Sequence, residues 1–363
     1  MRLGVEAAVV DGVLLRGDVE VADGRIAAVG LASVNGRGIA SPGFVDLQVN
    51  GFGGVDFAAA DAAGYCRAGG ALLETGVTAF QPTLITAPEA DVVAALRELP
   101  AEPIGPRLLG AHLEGPFLSA ARLGAHLAAA RRDPDPVLLE RLLAAGPVSQ
   151  MTLAPELPGA LELIDRLHAH GVVVSFGHSD ATAEEAGRGF DRGVATVTHL
   201  FNAMRPFGHR DPGIGGAALA RDDVVVQVIL DGHHLADETA QVVWRTAAGR
   251  MALVTDAIAA AGMGDGDFRL AGVAGEVRNG IARRNDGVLA GSTVTMIESI
   301  RNLCALGADL ADAVGAATVV PARAARRPEL GSLRPGAHAD VVVLDDALEI
   351  QRVLVGGQEP IPA

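Results

Sequence analysis

Residues 42–255 alternate short apolar segments with longer helix-like segments, and this alternation constrains the fold more than any other feature of the chain. Such a rhythm predicts repeated strand and helix units that assemble around a parallel sheet. The segments with the character of buried strands are 44–49, 78–82, 108–113, 150–153, 172–176, 196–199, 224–230 and 252–255. Eight units within roughly 250 residues predict an α/β fold of the (β/α)8 TIM-barrel type.

The segments between these strands have the apolar spacing of amphipathic helices. They predict helices over 61–74, 88–99, 136–145, 157–168, 181–190 and 237–247, with one more over about 294–306. The unit around the sixth strand has no clear helical pattern. A glycine-rich segment, residues 262–287, interrupts the rhythm and predicts a hairpin-like insert.

The two ends of the chain have a different character from the middle. Asp23-Gly24 separates two runs of alternating polarity within residues 18–29, which predicts a hairpin. Residues 339–344 and 352–357 are also strand-like. Since neither end is large enough for a core of its own, we expect both to pair. The predicted organisation is a small β-sandwich domain from residues 1–41 and 329–363 and a barrel from residues 42–328.

Composition excludes several classes of function. All 29 basic residues are arginine, and the lack of lysine rules out Schiff-base chemistry, Gly-Lys phosphate loops and a lysine carbamate between two metals. The net charge of −15 disfavours a nucleic-acid or anionic-membrane surface. Cys66 and Cys304 form no disulfide framework, and Glu6 and Asp11 interrupt any signal-peptide core. We therefore expect a cytoplasmic protein.

Polar residues that could bind a metal follow several of the predicted strands, at the end of a TIM barrel where catalytic groups collect. Glu114 ends the third strand, His178 follows the fifth and His199 ends the sixth. One glutamate and two histidines can bind zinc and leave a coordination position for water. We predict these three as the ligands of one divalent metal ion. The alternative is that each only satisfies a hydrogen bond inside the barrel.

Two further polar residues lie at strand ends. Asp256, after the eighth strand, could take a proton from a metal-activated water and return it to a leaving amine, as amide hydrolysis requires. Its alternative role is to cap a helix or loop. His112 shares strand parity with Glu114 and should also face inward, where support or packing is expected rather than ligation.

Five segments together form a distinctive set: HLEGPF at 112–117, GHSDAT at 177–182, THLFNAM at 198–204, RDPG at 210–213 and LVTDA at 253–257. On these segments the chain resembles the N-acetylglucosamine-6-phosphate deacetylase family of the amidohydrolase superfamily, and the similarity runs nearly from end to end. The resemblance implies metal-dependent release of acetate from N-acetylglucosamine 6-phosphate, with Asp256 as acid and base. It also implies a homodimer, and zinc as the metal, although Fe2+ or Co2+ would fit the same ligands.

The resemblance also implies substrate contacts that spacing alone does not indicate. His126 would polarise the acetyl carbonyl, and His234 would contact sugar hydroxyls. Arg210, with the backbone at Asn202 and Ala203, would hold the sugar phosphate, a task suited to a planar guanidinium. Arg210 could instead be an ordinary solvated loop charge.

One departure from the wider superfamily concerns the first strand, where many members carry His-x-His and this chain has Gln48-Val49-Asn50. Amides are weak zinc ligands, so a single-metal site is expected. A cyclic-amide hydrolase would need two metals and a lysine. Two alternatives stay open: the same reaction on N-acetylgalactosamine 6-phosphate, and an idle barrel that only binds sugar phosphates.

Overall fold

Five short strands precede the barrel in the computed structural model, which describes residues 1–33, 35–102 and 104–359. They are β1 (Ala7–Val10), β2 (Val13–Arg16), β3 (Asp18–Ala22), β4 (Arg25–Leu31) and β5 (Ile39–Pro42). Strands β3 and β4 form the predicted hairpin, with φ values of 50° at Asp23 and 72° at Gly24. A tight two-residue turn needs left-handed backbone at both positions, which explains the Asp-Gly pair.

Eight parallel strands form the barrel, as the alternating pattern predicts. They are β6 (Phe44–Val49), β9 (Val77–Ile85), β11 (Ala111–Glu114), β12 (Val148–Leu153), β13 (Val173–Phe176), β14 (Thr196–Val197), β15 (Val225–Val228) and β16 (Met251–Leu253), with short strands β7 (Gly51–Phe52), β8 (Val55–Asp56) and β10 (Arg107–Leu108) beside them. The first and last strands meet where Val49 bridges Ala257 and the Asp256 amide donates to the Gln48 carbonyl over 2.9 Å.

The barrel interior is divided into an apolar end and a polar end. Buried apolar side chains near the strand starts include Val45, Ala79 and Val225. Buried polar side chains such as Glu114 and Thr198 lie near the strand ends. The rigid strands therefore gather the hydrogen-bonding and charged groups at the carboxyl-terminal mouth, where this fold places its active sites.

Helices follow most of the barrel strands. They are α1 (Ala62–Glu74), α2 (Glu89–Arg97), α3 (Pro136–Ala145), α4 (Ala160–Ala169), α5 (Ala183–Phe190), α6 (Gly213–Leu219), α7 (Asp237–Ala247), α8 (Met296–Ala305), α9 (Leu310–Ala317) and α10 (Val319–Ala324). The seven predicted helices are confirmed, whereas α6, α9 and α10 were not predicted. Helix α6 has glycines where tight packing demands them, since a Cβ on Gly215 would lie 2.5 Å from the Phe201 ring. Because α6 consists mostly of glycine and alanine, its sequence shows no clear amphipathic pattern.

Three antiparallel strands lie between β16 and α8: β17 (Gly266–Leu270), β18 (Val273–Arg278) and β19 (Ile281–Arg284). We call residues 266–284 the insert. Phe268, Leu270 and Val277 of the insert share a hydrophobic cluster with Ile85 and Ile258 of the barrel mouth. Burial of this cluster holds the insert against the mouth.

The last strands, β20 (Val341–Leu344) and β21 (Ile350–Leu354), return to the start of the chain. Strand β20 pairs antiparallel with both β5 and β21, which gives one sheet of order β2-β1-β5-β20-β21. A separate cluster that includes Val19, Ile26 and Val341 joins this sheet to the β3–β4 hairpin. Within the described residues, no helix combines the length and apolar character needed to cross a lipid bilayer.

Candidate metal centre and active site

Glu114, His178 and His199 converge at the mouth of the barrel, with one potential ligand atom from each lying within 4.8 Å of the others. Glu114 Oε1 is 2.8 Å from His199 Nε2 and 3.1 Å from His178 Nε2, and the two Nε2 atoms are 3.1 Å apart. All three side chains are buried. The structure thus brings together the three residues that the sequence predicts as ligands.

The donor atoms of this cluster fit a divalent cation. The His178 Nδ1–H donates to the Arg122 carbonyl over 2.9 Å, so in the neutral ring Nε2 carries a lone pair. That lone pair faces a carboxylate oxygen and a second imidazole nitrogen. Burial opposes ionisation of Glu114, but the surrounding imidazoles outweigh it and hold the pKa of this carboxyl well below its usual value. Electron-rich atoms so close together in a buried place are stabilised by a cation, and two nitrogens with one oxygen suit zinc, iron or cobalt.

The backbone at the site adopts unusual conformations. His178, His199 and Asp256 have φ values of 49°, 31° and 51°, although none of them is glycine. Left-handed backbone at such residues costs on the order of 1–3 kcal/mol each and is concentrated at functional sites. His178 and His199 lie two residues beyond the ends of β13 and β14, and Asp256 lies three residues beyond the end of β16. All three line the same cavity. Sequence patterns carry no signal for this conformation.

The two amides of the first strand bind carboxylates rather than a metal. Gln48 Nε2 donates to Glu114 Oε1 over 3.2 Å, and Asn50 Nδ2 donates to Asp256 Oδ1 over 2.6 Å. Burial, with repulsion from Glu114, raises the pKa of Asp256 to about 6. A carboxyl with a pKa near neutrality can both accept and return a proton, as a general base and acid must.

His126 presents a neutral N–H to the same place. The Thr86 amide donates to His126 Nδ1 over 3.2 Å, so the ring proton lies on Nε2, which is 3.5 Å from Glu114 Oε2. Burial lowers the pKa of His126 to about 4, and the neutral ring is therefore the form present near pH 7. Such a ring can donate one hydrogen bond to an oxygen that enters the site.

A cavity that offers about 230 Å³ to water-sized molecules opens above these groups. Its polar lining comprises the three candidate ligands with Asn50, His126, Asn202, His234 and Asp256, and its apolar lining includes Ile229, Leu270, Val288 and Leu289. Ala203 also lines it, so all the predicted site residues except Arg210 face this cavity.

His234 is held by an aspartate that sequence reasoning assigned no role. Its Nδ1–H donates to Asp231 Oδ2 over 2.7 Å, and two backbone amides donate to Asp231 Oδ1. Burial opposes ionisation, but these hydrogen bonds and the charge of His234 bring the pKa of Asp231 to about 2. The Asp231–His234 pair occurs at the strand end in sequence, which is the signal that could have identified it.

Arg210 lies exposed on the loop after Met204 and does not line the cavity. The neighbouring Arg205 fixes this loop instead, since it pairs with Asp211 at 2.6 Å and with Asp180 at 3.3 Å. Arg122 reaches the same Asp180 at 2.7 Å. Sequence reasoning missed this ion-pair chain because it joins three separate loops and leaves no periodic pattern.

Comparison with known proteins agrees with the geometry. The model of the amidohydrolase family matches residues 39–359. The chain is similar to N-acetylglucosamine-6-phosphate deacetylase of Mus musculus, with 38% identity over 96% of this chain and 92% of the relative. It is also similar to N-acetylgalactosamine-6-phosphate deacetylase of Escherichia coli, with 35% identity over 94% and 93%.

Solved structures show the same likeness. A mutant N-acetyl-D-glucosamine-6-phosphate deacetylase of Mycobacterium smegmatis, in complex with N-acetyl-D-glucosamine-6-phosphate, has a TM-score of 0.93 and 37% identity, covering 98% of this chain and 97% of its own. The Thermotoga maritima N-acetylglucosamine-6-phosphate deacetylase has a TM-score of 0.91 and 32% identity, covering 99% of both chains. The chain therefore belongs to the amidohydrolase family and, within it, to the metal-dependent N-acetylglucosamine-6-phosphate deacetylases.

Proposed function

We propose that the chain hydrolyses the acetamide of N-acetylglucosamine 6-phosphate to glucosamine 6-phosphate and acetate with a metal-activated water. The observation that carries the proposal is the convergence of a Glu-His-His ligand set, a carboxyl of raised pKa and a neutral imidazole N–H on one cavity. Amide hydrolysis needs these three elements: an activated water, a proton shuttle and a donor to the developing oxyanion.

Glu114, His178 and His199 would hold one divalent ion, for which we propose zinc. A bound ion of this kind acts as a Lewis acid and lowers the pKa of water from about 15.7 to about 7. The Asp256 carboxylate accepts a proton from the attacking water and passes it to the amine nitrogen as the C–N bond breaks. The His126 Nε2–H donates to the acetamide oxygen and stabilises the negative charge that develops there.

Substrate recognition uses the opposite side of the cavity. We assign the 6-phosphate to the backbone at Asn202 and Ala203 with Arg210, and a sugar hydroxyl to His234. His234 Nδ1 is engaged by Asp231, which directs Nε2 to the substrate. Arg210 would have to reach in from its exposed position on the loop after Met204. Binding energy from the phosphate contributes to positioning at a distance from the reacting carbon.

A second candidate reaction is the same hydrolysis on N-acetylgalactosamine 6-phosphate. The 35% identity to a deacetylase of that name favours it. The two substrates differ in the configuration of a single hydroxyl. We also propose a homodimer, supported by the family resemblance, and a cytoplasmic location, supported by the two unpaired cysteines.

Acetate release from a panel of substrates tests the proposal. The panel contains N-acetylglucosamine and N-acetylgalactosamine, each with and without the 6-phosphate, and is assayed with added zinc and after chelation. We expect chelator-sensitive release that is fastest for N-acetylglucosamine 6-phosphate. Arg210→Ala should reduce turnover of phosphorylated substrates far more than that of the bare sugars. Binding without release would support an idle barrel, and equal effects on both substrate kinds would remove Arg210 from the phosphate site.

A further inference from the structure

The insert is built into the wall of the cavity. Its Leu270, together with Val288 and Leu289 just beyond it, lines the space above the candidate metal ligands. The hydrophobic cluster that fastens it to the barrel mouth is extended by Ala125, the residue before His126. The insert is therefore in contact with the short loop 124–126 that carries His126.

Arg284, the last residue of β19, makes the polar part of this contact. Its Nη1 donates to the carbonyls of Gly124 over 3.4 Å and of Ala125 over 3.2 Å, and its Nη2 pairs with Asp286 at 2.8 Å. Only a quarter of the Arg284 side chain is exposed. One guanidinium nitrogen shared by two carbonyls makes two long, charge-assisted hydrogen bonds in a partly buried place.

The loop that Arg284 contacts is closed by an internal hydrogen bond from the His126 amide to the Leu123 carbonyl over 3.0 Å. Among the described residues, no backbone amide donates to the carbonyl of Gly124 or Ala125. Gly124 has a φ of 55°, and a Cβ there would lie 3.3 Å from the His178 ring. One side of the loop therefore lies against the candidate metal ligand His178, and its carbonyls contact the Arg284 guanidinium.

We propose that Arg284 is a positioning residue for His126. The imidazole is located from two sides: the Thr86 amide holds Nδ1, and Arg284 holds the two peptide groups that lead into His126. The insert thereby does two things: it forms part of the cavity wall, and it helps to place the His126 N–H that would donate to the oxyanion. This inference rests on the proposed function for the role of His126, but the contact itself does not depend on the substrate.

Three variants test it. We expect Arg284→Ala to lower kcat roughly tenfold to a hundredfold with KM changed less than about threefold, because misplacement of about 1 Å has costs of that size. Arg284→Lys, which keeps a charged donor, should recover part of the rate. Arg283→Ala is the matched control, since within the described part of the chain the exposed Arg283 side chain donates only to the Gly287 carbonyl in the turn that follows. If Arg284→Ala lowers kcat no more than Arg283→Ala does, the proposal is overturned.

A second measurement separates this proposal from the proposed reaction. Hydrogen–deuterium exchange of the free protein should show faster exchange of the amides of residues 123–127 in Arg284→Ala but not in Arg283→Ala. This result needs no substrate. In a His126→Gln background, Arg284→Ala should cost little further activity, because the group that it positions is gone. The positioning role would be overturned, even if deacetylation is confirmed, by either of two results. One is amide exchange of residues 123–127 that is unchanged in Arg284→Ala. The other is a loss of activity from Arg284→Ala that is as large in the His126→Gln variant as in the wild type.

Discussion

The Asn50 side-chain amide donates to Asp256 Oδ1 over 2.6 Å, across the seam where the first and last barrel strands meet. Many amidohydrolases carry an imidazole at the Asn50 position. Here the amide occupies one oxygen of the candidate acid and base and fixes the direction of its carboxylate. Both groups are buried, and the low local dielectric strengthens the hydrogen bond.

Loss of this hydrogen bond should impair proton transfer more than binding. We expect Asn50→Ala to reduce kcat roughly tenfold to a hundredfold with little change in KM, because a general base must be held within hydrogen-bond reach of its proton. Steady-state acetate release is the measurement. Bound metal per chain should stay as in the wild type, and a variant with wild-type kcat would show that Asp256 needs no such partner.

Metal removal should abolish the reaction and lower stability together. Because the ligands lie on three different strand ends, an ion bound between them stabilises the folded chain in proportion to the logarithm of its concentration. We expect added zinc to raise the Tm of metal-free protein, and to raise it much less for Glu114→Gln. Glu89→Gln, at an exposed ion pair with Arg141, is the control and should respond like the wild type. Equal responses of all three proteins would place the ion elsewhere.

Asp46 should make stability depend on pH. Burial raises the pKa of Asp46 from 3.8 to about 7. The folded chain therefore holds a proton that the unfolded chain has lost, so stability falls as pH rises from about 4 to about 7. Asp46→Asn removes this ionisation while an amide can still bind Thr255. Relative to wild type, its free energy of unfolding should rise across this interval by up to about 4 kcal/mol, at 1.36 kcal/mol per pH unit.

Urea denaturation of both proteins at pH 4, 6 and 8 measures this difference, and parallel pH curves would contradict the prediction. The pH dependence itself is the test, because the substitution can also shift stability by a constant amount. Above about pH 7 the curves should run parallel, since Asp46 is then ionised in both the folded and the unfolded wild type.

Arg205 should affect binding of the phosphorylated substrate through the loop that it holds in place. It joins Asp180 to Asp211, the neighbour of Arg210. Surface pairs contribute only about 0–1 kcal/mol each, so we expect Arg205→Ala to raise KM for the phosphorylated substrate by roughly threefold to tenfold. Bare N-acetyl sugars should be unaffected. Arg221→Ala, which breaks exposed pairs with Asp191 and Asp223, is the control and should leave both KM values unchanged.

The barrel and the convergence of Glu114, His178 and His199 could be predicted because their signals are local. The barrel strands are short apolar segments, and several of them are followed within a few residues by a histidine or an acid. His178 and His199 lie two residues beyond the ends of β13 and β14. Their convergence follows from the fold, since all strand ends of a TIM barrel meet at one mouth. The predicted sixth strand, 196–199, ends earlier in the structure, at Val197, because His199 leaves the extended conformation.

The supporting contacts could not be predicted. Arg284 and Gly124 are 160 residues apart, and no periodicity relates an arginine in a surface hairpin to a carbonyl in a distant loop. The exposed position of Arg210 has the same origin, because loop conformation depends on ion pairs such as Arg205–Asp211 rather than on apolar spacing.

The sheet that joins β5 to β20 imposes an order on assembly during synthesis. Strands β5 and β20 pair in this sheet, although almost three hundred residues, the whole barrel included, separate them in the chain. Closing so long a loop is entropically costly. The ribosome delivers β5 well before β20. Until β20 is made, β5 has one unpaired edge, and aggregation through that edge is a hazard during synthesis.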